Sequence, residues 1–328
     1  MTTPLTRLRK RRVLAAKLEA AVGGVETLTA AEAVFNVFDA EMQAGAEFHE
    51  RPGQAGFSPL PGVVGARVGT CTFAIELYGS GTKESTGGES VPAWAKVFLP
   101  ACGLIQAGAT SPIFNVSSTG PAGGSTPLAV RSLTIGLYED GMLKLLTGAM
   151  GNAAIRCVNG QPVRIEFTFT GVWNPPANDG LLTPTYPKVL PPRFGGGAIT
   201  LTTGWSPVLG ELSFDLGNQV QMRADATKAA GLISAIITGR RVTGSMNPES
   251  SLTGERNSYG IWLASTPSAL SVAIGAGDDG NSCTLAAPAL QITNPQEIDR
   301  DGIQADELAF QCNRSADLGD DEFTMTFA

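Results

Sequence analysis

The sequence predicts a mainly β protein built on a duplicated β unit, with one or two short helices. Three observations lead there. First, two segments follow one plan, Leu133–Trp173 and Leu270–Arg314. Each opens on alternating apolar residues, Leu133/Ile135/Leu137 and Leu270/Val272/Ile274, and runs into Asp140-Gly141 or Asp279-Gly280. Asp-Gly after such a run is a hairpin signal, because these residues accept the positive φ of a tight turn. Each segment then reaches a second turn, Asn159-Gly160 or Asp301-Gly302, and closes on another alternating run, Val163/Ile165/Phe167/Phe169 or Leu308/Phe310/Cys312. The plan reads as a duplicated β unit, against chance likeness of two β-rich stretches. Second, charged residues are only 16% of the chain while glycine numbers 40 and proline 21, which suits many strands and turns on a surface partly covered by partners. Third, Asn174–Gly197 holds six prolines and four glycines between the two segments, which marks a linker.

In order along the chain, residues 1–24 read as a basic N-terminal arm, mobile to residue 12, followed by a short helix over Val13–Val22 that stops at Gly23-Gly24. Residues 25–173 form the first β unit. Thr29-Ala-Ala-Glu32 is a capping-box pattern ahead of Val34, Phe35, Phe38 and Met42, which predicts a helix. Arg51–Val64 reads as extended loop. Thr70–Tyr78 is a strand with Cys71, Phe73, Ile75 and Leu77 on one face. Gly79–Ser90 reads as flexible loop, Pro92–Cys102 as a helix shortened or kinked by Pro100, and Thr110–Pro127 as loop. Residues 174–197 are the linker. Residues 198–328 form the second β unit, with strands at Leu212/Phe214/Leu216 and Val220/Met222, a long strand over Leu232–Thr243, loop at Asn247–Ser258, and a last strand at Phe323/Met325/Phe327.

At 328 residues the chain can bury a core without disulfides or metals. The net charge of −7 argues against a conventional basic nucleic-acid binder. Charge is polarised. The first twenty residues carry Arg7, Arg9, Lys10, Arg11, Arg12 and Lys17 against Glu19, and the stretch from Asp278 to the end carries eleven carboxylates, Asp317, Asp320 and Asp321 among them. The basic arm and the Arg240-Arg241 pair are therefore candidate inter-subunit contacts with acidic surface on a neighbour, or simply solvated charges. The five cysteines have no metal spacing and an odd count, which fits buried free thiols in a reducing compartment. No apolar run has transmembrane length.

Catalytic signatures are missing. His49 is the single histidine, so multi-histidine metal sites are excluded and a histidine-based nucleophile triad has one candidate base at most. Gly275–Gly280 spells GxGxxG, but its aspartates oppose a pyrophosphate and no helix follows. Asp140, Asp279, Asp299 and Asp301 could supply a glycosidase pair, yet aromatics for a sugar platform are few, at 7%. Asp299–Gly302 with Asp306-Glu307 offers oxygen donors for Ca²⁺ without EF-hand spacing. No catalytic, cofactor or metal residue is assigned, and the expectation is a structural protein rather than an enzyme.

The ordered set Glu76–Gly81 (ELYGSG), Pro100–Gly103 (PACG), Tyr138–Gly141 (YEDG) and Gly151–Gly171 (GNAAIRCVNGQPVRIEFTFTG) resembles the major tail tube proteins of long, non-contractile-tailed bacteriophages. The likeness is good over 13–173 and loose beyond. It implies two tandem tail-tube-type β-sandwich/barrel units whose hairpins join a ring-shaped inner β-barrel, six units to a ring and rings stacked into a hollow tube. It implies a conduit for DNA, filled beforehand by a tape-measure protein, sited in the virion tail after assembly in the host cytoplasm. Its partners would be further copies of itself, tail terminator and distal tail proteins, and DNA in transit, with no membrane. Two units per chain favour a trimeric pseudo-sixfold ring over a hexamer. The alternatives are a distal-tail or baseplate ring component, or a receptor-binding module.

Overall fold

A computed structural model describes residues 6–54, 56–83, 89–201, 205–275 and 279–328. Met1–Leu5, part of the Gly79–Ser90 loop and residues 276–278 of the GxGxxG stretch lie outside the described residues. The chain is mainly β. In the first half, β1 (Arg12–Leu18) precedes a 3-10 turn (Ala30–Ala33), β2 (Val37–Arg51), β3 (Leu60–Glu76) and helix α1 (Ala93–Ala101). Short strands β4 (Leu104–Gln106) and β5 (Ile113–Val116) lead to β6 (Leu133–Glu139), β7 (Met142–Val158) and β8 (Arg164–Asn178). The second half runs β9 (Ile199–Leu201), β10 (Leu209–Asp215), β11 (Gln219–Ala224), β12 (Leu232–Gly239), β13 (Thr243–Pro248) and helix α2 (Ser258–Leu263). It ends with β14 (Ser268–Ile274), β15 (Cys283–Arg300), β16 (Ile303–Cys312) and β17 (Thr324–Phe327).

Eight strands lie side by side in the order β2-β3-β8-β7-β10-β13-β16-β15, every neighbouring pair antiparallel. One register row crosses all eight: Val37, Ile75, Ile165, Ile155, Phe214, Gly244, Phe310, Ile292. The adjacent row, on the opposite face, reads Phe38, Ala74, Glu166, Ala154, Asp215, Thr243, Gln311, Gln291. Side chains alternate across a strand, so the first row turns to the core and the second to water. Over the core face lie α1 and a second layer. β1 pairs with β6 and β6 with the first part of β7; β9 pairs with β14 and β14 with the first part of β15. β7 and β15 thus belong to both layers. In β7 the passage between them is marked by a register shift and by Gly148 at φ +58, a bulge that turns the corner.

The strand order of the first half recurs in the second. β9, β10, β13, α2, β14, β15 and β16 follow one another and pair as β1, β2, β3, α1, β6, β7 and β8 do. The two halves are not self-contained. One apolar core runs through both, from Leu14 and Phe167 to Phe310 and Phe327, and β5 of the first half pairs with β17 at the end of the chain. The Pro/Gly segment does not separate two cores, and its first residues, Asn174–Asn178, belong to β8.

Several local expectations are corrected. The helix expected over Val13–Val22 is β1. Leu14, Ala16 and Leu18 face the main core while Val13 and Ala15 face a smaller apolar cluster with Tyr138, so an apolar run buried on both sides is a strand. The capping box at Thr29 and Glu32 is formed, but it caps only a four-residue turn. Phe38 and Met42 then enter β2, because pairing with β3 outweighs the local helix signal. Arg51–Val64 is the end of the β2–β3 hairpin rather than plain loop, and Thr110–Pro127 contains β5. Leu232–Thr243 is broken after Gly239, with Arg240-Arg241 in the gap before β13. Helix α1 forms as expected and carries Pro100 in its last turn. No described helix is long and apolar enough to cross a membrane. The inner barrel expected from the resemblance is not closed within one chain: the sheet is open at both ends.

Candidate assembly edges

The ends of the eight-strand row are the chain's candidate functional sites. Among the described residues, β2 pairs with β3 alone, and β15 beyond Leu290 pairs with β16 alone. Each therefore presents a line of backbone N–H and C=O groups with no ladder partner on one side, a liability for a monomer and a template for another chain. The interior of the row shows what a closed edge looks like. Where the first half meets the second, β7 pairs with β10 through Leu212↔Cys157, Ser213↔Arg156, Phe214↔Ile155 and Asp215↔Ala154. Asn152 donates from Nδ2 to Asp215 at 2.6 Å across this seam. β7 is the fourth strand of its group and β10 the first of the next; β15 and β2 hold the same places at the free ends.

The water-facing side of the row is lined by small or uncharged polar residues, including Thr72, Thr168, Asn152, Ser213, Thr243, Ser245 and Gln311. Among them stand Glu166, Glu211 and Asp215, with Arg156, Arg164 and Arg241 of opposite sign. The face is hollowed at the β7–β10–β13 crossing into a concavity of about 620 Å³ lined by Ala154, Arg156, Asp215, Arg241, Ser245 and Thr293.

Most charged inter-subunit candidates already have partners in their own chain. Arg7 reaches Glu139, and Arg11 reaches Asp140 at 2.7 Å, so the basic arm lies along its own β6–β7 turn. Arg12 donates to the Ala40 carbonyl. Arg9 and Lys10 are exposed. Arg240 is nearly buried and bonds Asp320 at 3.1 Å and Glu322 at 2.7 Å, an internal clamp rather than a contact awaiting a neighbour. Although desolvation opposes it, bonding to Ser118 and Arg240 holds the Asp320 carboxyl below its ordinary pKa. Arg241 donates to Gln311 at 2.8 Å. Asp321 accepts the Ser315 and Ala316 amides, and Asp317 offers its carbonyl to Arg314. Local pairing satisfies these charges because the acids lie close to the basic residues in the fold, which end-to-end counting of charge along the chain does not show.

The turn residues divide. Asp140 (φ 41°) and Gly141 (φ 93°) form the expected two-residue turn between β6 and β7, and Asp301 (φ 55°) and Gly302 (φ 85°) form a like turn between β15 and β16, where the first half has Asn159-Gly160. Asp279-Gly280 ends a longer connection and packs on the first half's Gly79–Thr82 loop, with Gly81 donating to the Gly280 carbonyl at 2.9 Å. Asp299 accepts the Gly302 amide at 2.6 Å, a turn bond within the acidic stretch considered for Ca²⁺.

One buried carboxylate escaped sequence reasoning. Glu19, at the end of β1, accepts from the Gly148 and Gly23 amides and from Ser132 and Thr134, tying β1, β6 and the β7 corner together. Burial nonetheless pushes its carboxyl above the ordinary value. All five cysteines are buried and their thiols pushed up, those of Cys71, Cys157 and Cys312 to about 12, so they fill space as small apolar groups. Among the described residues, no three His, Cys, Asp or Glu side chains gather as metal ligands. No protein-family model matches the chain, and no curated protein matches it.

Proposed function

We propose that this chain is a self-assembling structural subunit of a bacteriophage tail tube, in which copies join edge to edge into a ring and rings stack into a hollow conduit. The observation that carries the reading is the eight-strand antiparallel row with its two free ends and its repeated strand order. Eight is even, so β15 runs antiparallel to β2, and a second chain set against β15 continues the ladder with the alternation intact. A heterologous contact of this kind closes if the rotation per chain divides the circle. With two quasi-equivalent units per chain, three chains give the pseudo-sixfold ring. The wet, shallow, mostly uncharged face of the row becomes the inner wall, where scattered carboxylates and few free cations let a phosphate backbone slide. The tape-measure protein would occupy that lumen before DNA passes, and terminator and distal tail proteins would cap the stack in the virion.

Negative-stain and cryo-electron micrographs of the purified full chain test the reading. The expected particles are threefold rings with pseudo-sixfold strand density, and tubes built from them. Monomeric particles at every concentration would overturn it, and single rings that never stack would assign the chain to a tail-end ring component instead.

A further inference from the structure

The two connections between equivalent strands differ, and one is already docked. In the second half, β10 reaches β13 through the β11–β12 hairpin, which folds back across the seam onto the first half. There Ala235 packs with Val130 and Met150, flanked by Val220, Met222 and Ile237. Asn218 donates to the Cys102 carbonyl, just after α1, at 2.7 Å, and to the Gly151 carbonyl of β7 at 2.9 Å. The Arg67 amide donates to the Ala230 carbonyl at the hairpin's tip. In the first half, β2 reaches β3 through the far part of their own hairpin; its base meets the β11–β12 tip at Arg67, and beyond that point the described residues show no such docking. Every residue of β2 from Gln43 to Arg51 is exposed, and apolar Phe48, Phe57, Leu60, Val63 and Val64 stand in water on this two-stranded arm. A two-stranded ribbon with apolar side chains on it is marginal without a cover.

We propose that this arm docks on a second copy of the chain, on the surface equivalent to the one the β11–β12 hairpin covers: the C-terminal end of α2 and the neighbouring stretch of β15 and β16. The inference rests on the ring reading, since it takes β15 of one chain and β2 of the next to meet as β7 and β10 do. The receiving surface carries the matching exposure. Leu263 is 74% exposed and Trp262 is 37% exposed, with Trp262 Nε1 held on the Thr293 carbonyl at 3.0 Å, whereas the corresponding helix α1 is buried along Trp94, Phe98 and Leu99. The internal contact is thus the template of an intermolecular one. Apolar area left open on the arm and on α2 is covered in the same step that joins the edges, so edge pairing and arm docking reinforce each other.

The test places the photo-crosslinker benzoylphenylalanine at Phe48 or at Phe57 in the full chain, mixes isotopically labelled and unlabelled subunits before assembly, and maps crosslinked peptides by mass spectrometry. The expected products join the arm to residues 257–268 or 290–312 of a differently labelled chain, and Leu263→Asp removes at least tenfold of them while the isolated subunit keeps its thermal transition. Rings or tubes in which the arm crosslinks elsewhere, within its own chain, or nowhere would overturn this docking while leaving the ring reading intact. Absence of any assembly in micrographs of the same samples would overturn both.

Discussion

The β7–β10 seam and the β2 and β15 edges are one kind of junction in two states. At the seam, Leu212 and Phe214 of β10 reach the common core beside Cys157 and Ile155, and backbone groups on both strands have partners. At the edges the corresponding side chains, Ala40 and Met42 of β2 and Ile292 of β15, still reach the core, but among the described residues one side of each strand's backbone has no ladder partner. The difference teaches that the chain holds one complete copy of its proposed neighbour contact and half of each of two more. A unit that stopped at the first half would expose the β7 edge; joined to the second half, it moves that exposure to β15.

Breaking the comparison at the edge has the largest expected effect. Successive N–H groups of a strand point to opposite sides. Of the single variants Gln296→Pro and Glu297→Pro, one therefore strikes the β16 ladder and the other the free edge. The variant that keeps the subunit's thermal transition should abolish rings in micrographs, and normal rings from it would sink the edge-pairing reading. Next come the two halves of the core. Phe167 packs against Phe73, Phe98 and Phe169, and Phe310 against Phe214. Phe167→Ala and Phe310→Ala should each cost about 3–5 kcal/mol. Because the core is continuous, calorimetry should show each lowering a single transition; two transitions moving separately would mean two independent domains.

A smaller effect sharpens the view of the β7 corner. Glu19 has a raised folded pKa, so its favourable contribution is complete below the unfolded value and is lost as pH rises through the folded one. Glu19→Gln removes that pH term. It also sets an amide N–H₂ against the Gly148 or Gly23 N–H, at about 1–3 kcal/mol. Urea titrations from pH 4 to pH 8 should show the wild-type advantage shrinking as pH rises; an advantage that grows would contradict the raised pKa. The smallest effect compares the two Asp-Gly turns, β6–β7 in the first half and β15–β16 in the second. Gly141→Ala and Gly302→Ala put a side chain at positive φ with no contact in the way, so each should cost about 1 kcal/mol. Equal shifts in denaturant midpoint are expected, and a clearly larger loss in one would show that the two turns carry different loads.

Period-two alternation and Asp-Gly turns were legible because they act within a few residues. Leu133–Glu139, Arg164–Phe169 and Leu308–Cys312 could be assigned to strands from residue types alone, and so could the order in which the two segments repeat. The strand at Val13 and the arm at Gln43–Val64 could not. Ala- and Leu-rich Arg12–Leu18 has good helix formers, and only β6, more than a hundred residues away, supplies the ladder that makes it extended. The internal charge pairs were hidden for a similar reason: Arg240 meets Asp320 and Glu322 across some eighty residues that chain counting does not bring together.

The sequence by itself determined the class, the hairpin turns and the doubled plan, since backbone sterics and side-chain alternation are local. Only the tertiary structure decided that the two plans share one core, that β7 accepts β10, and that, among the described residues, β2 and the far part of β15 each keep one unpaired side. Those outcomes depend on which distant edges meet, and edge pairing is set by the summed burial of a whole face rather than by any residue's own preference.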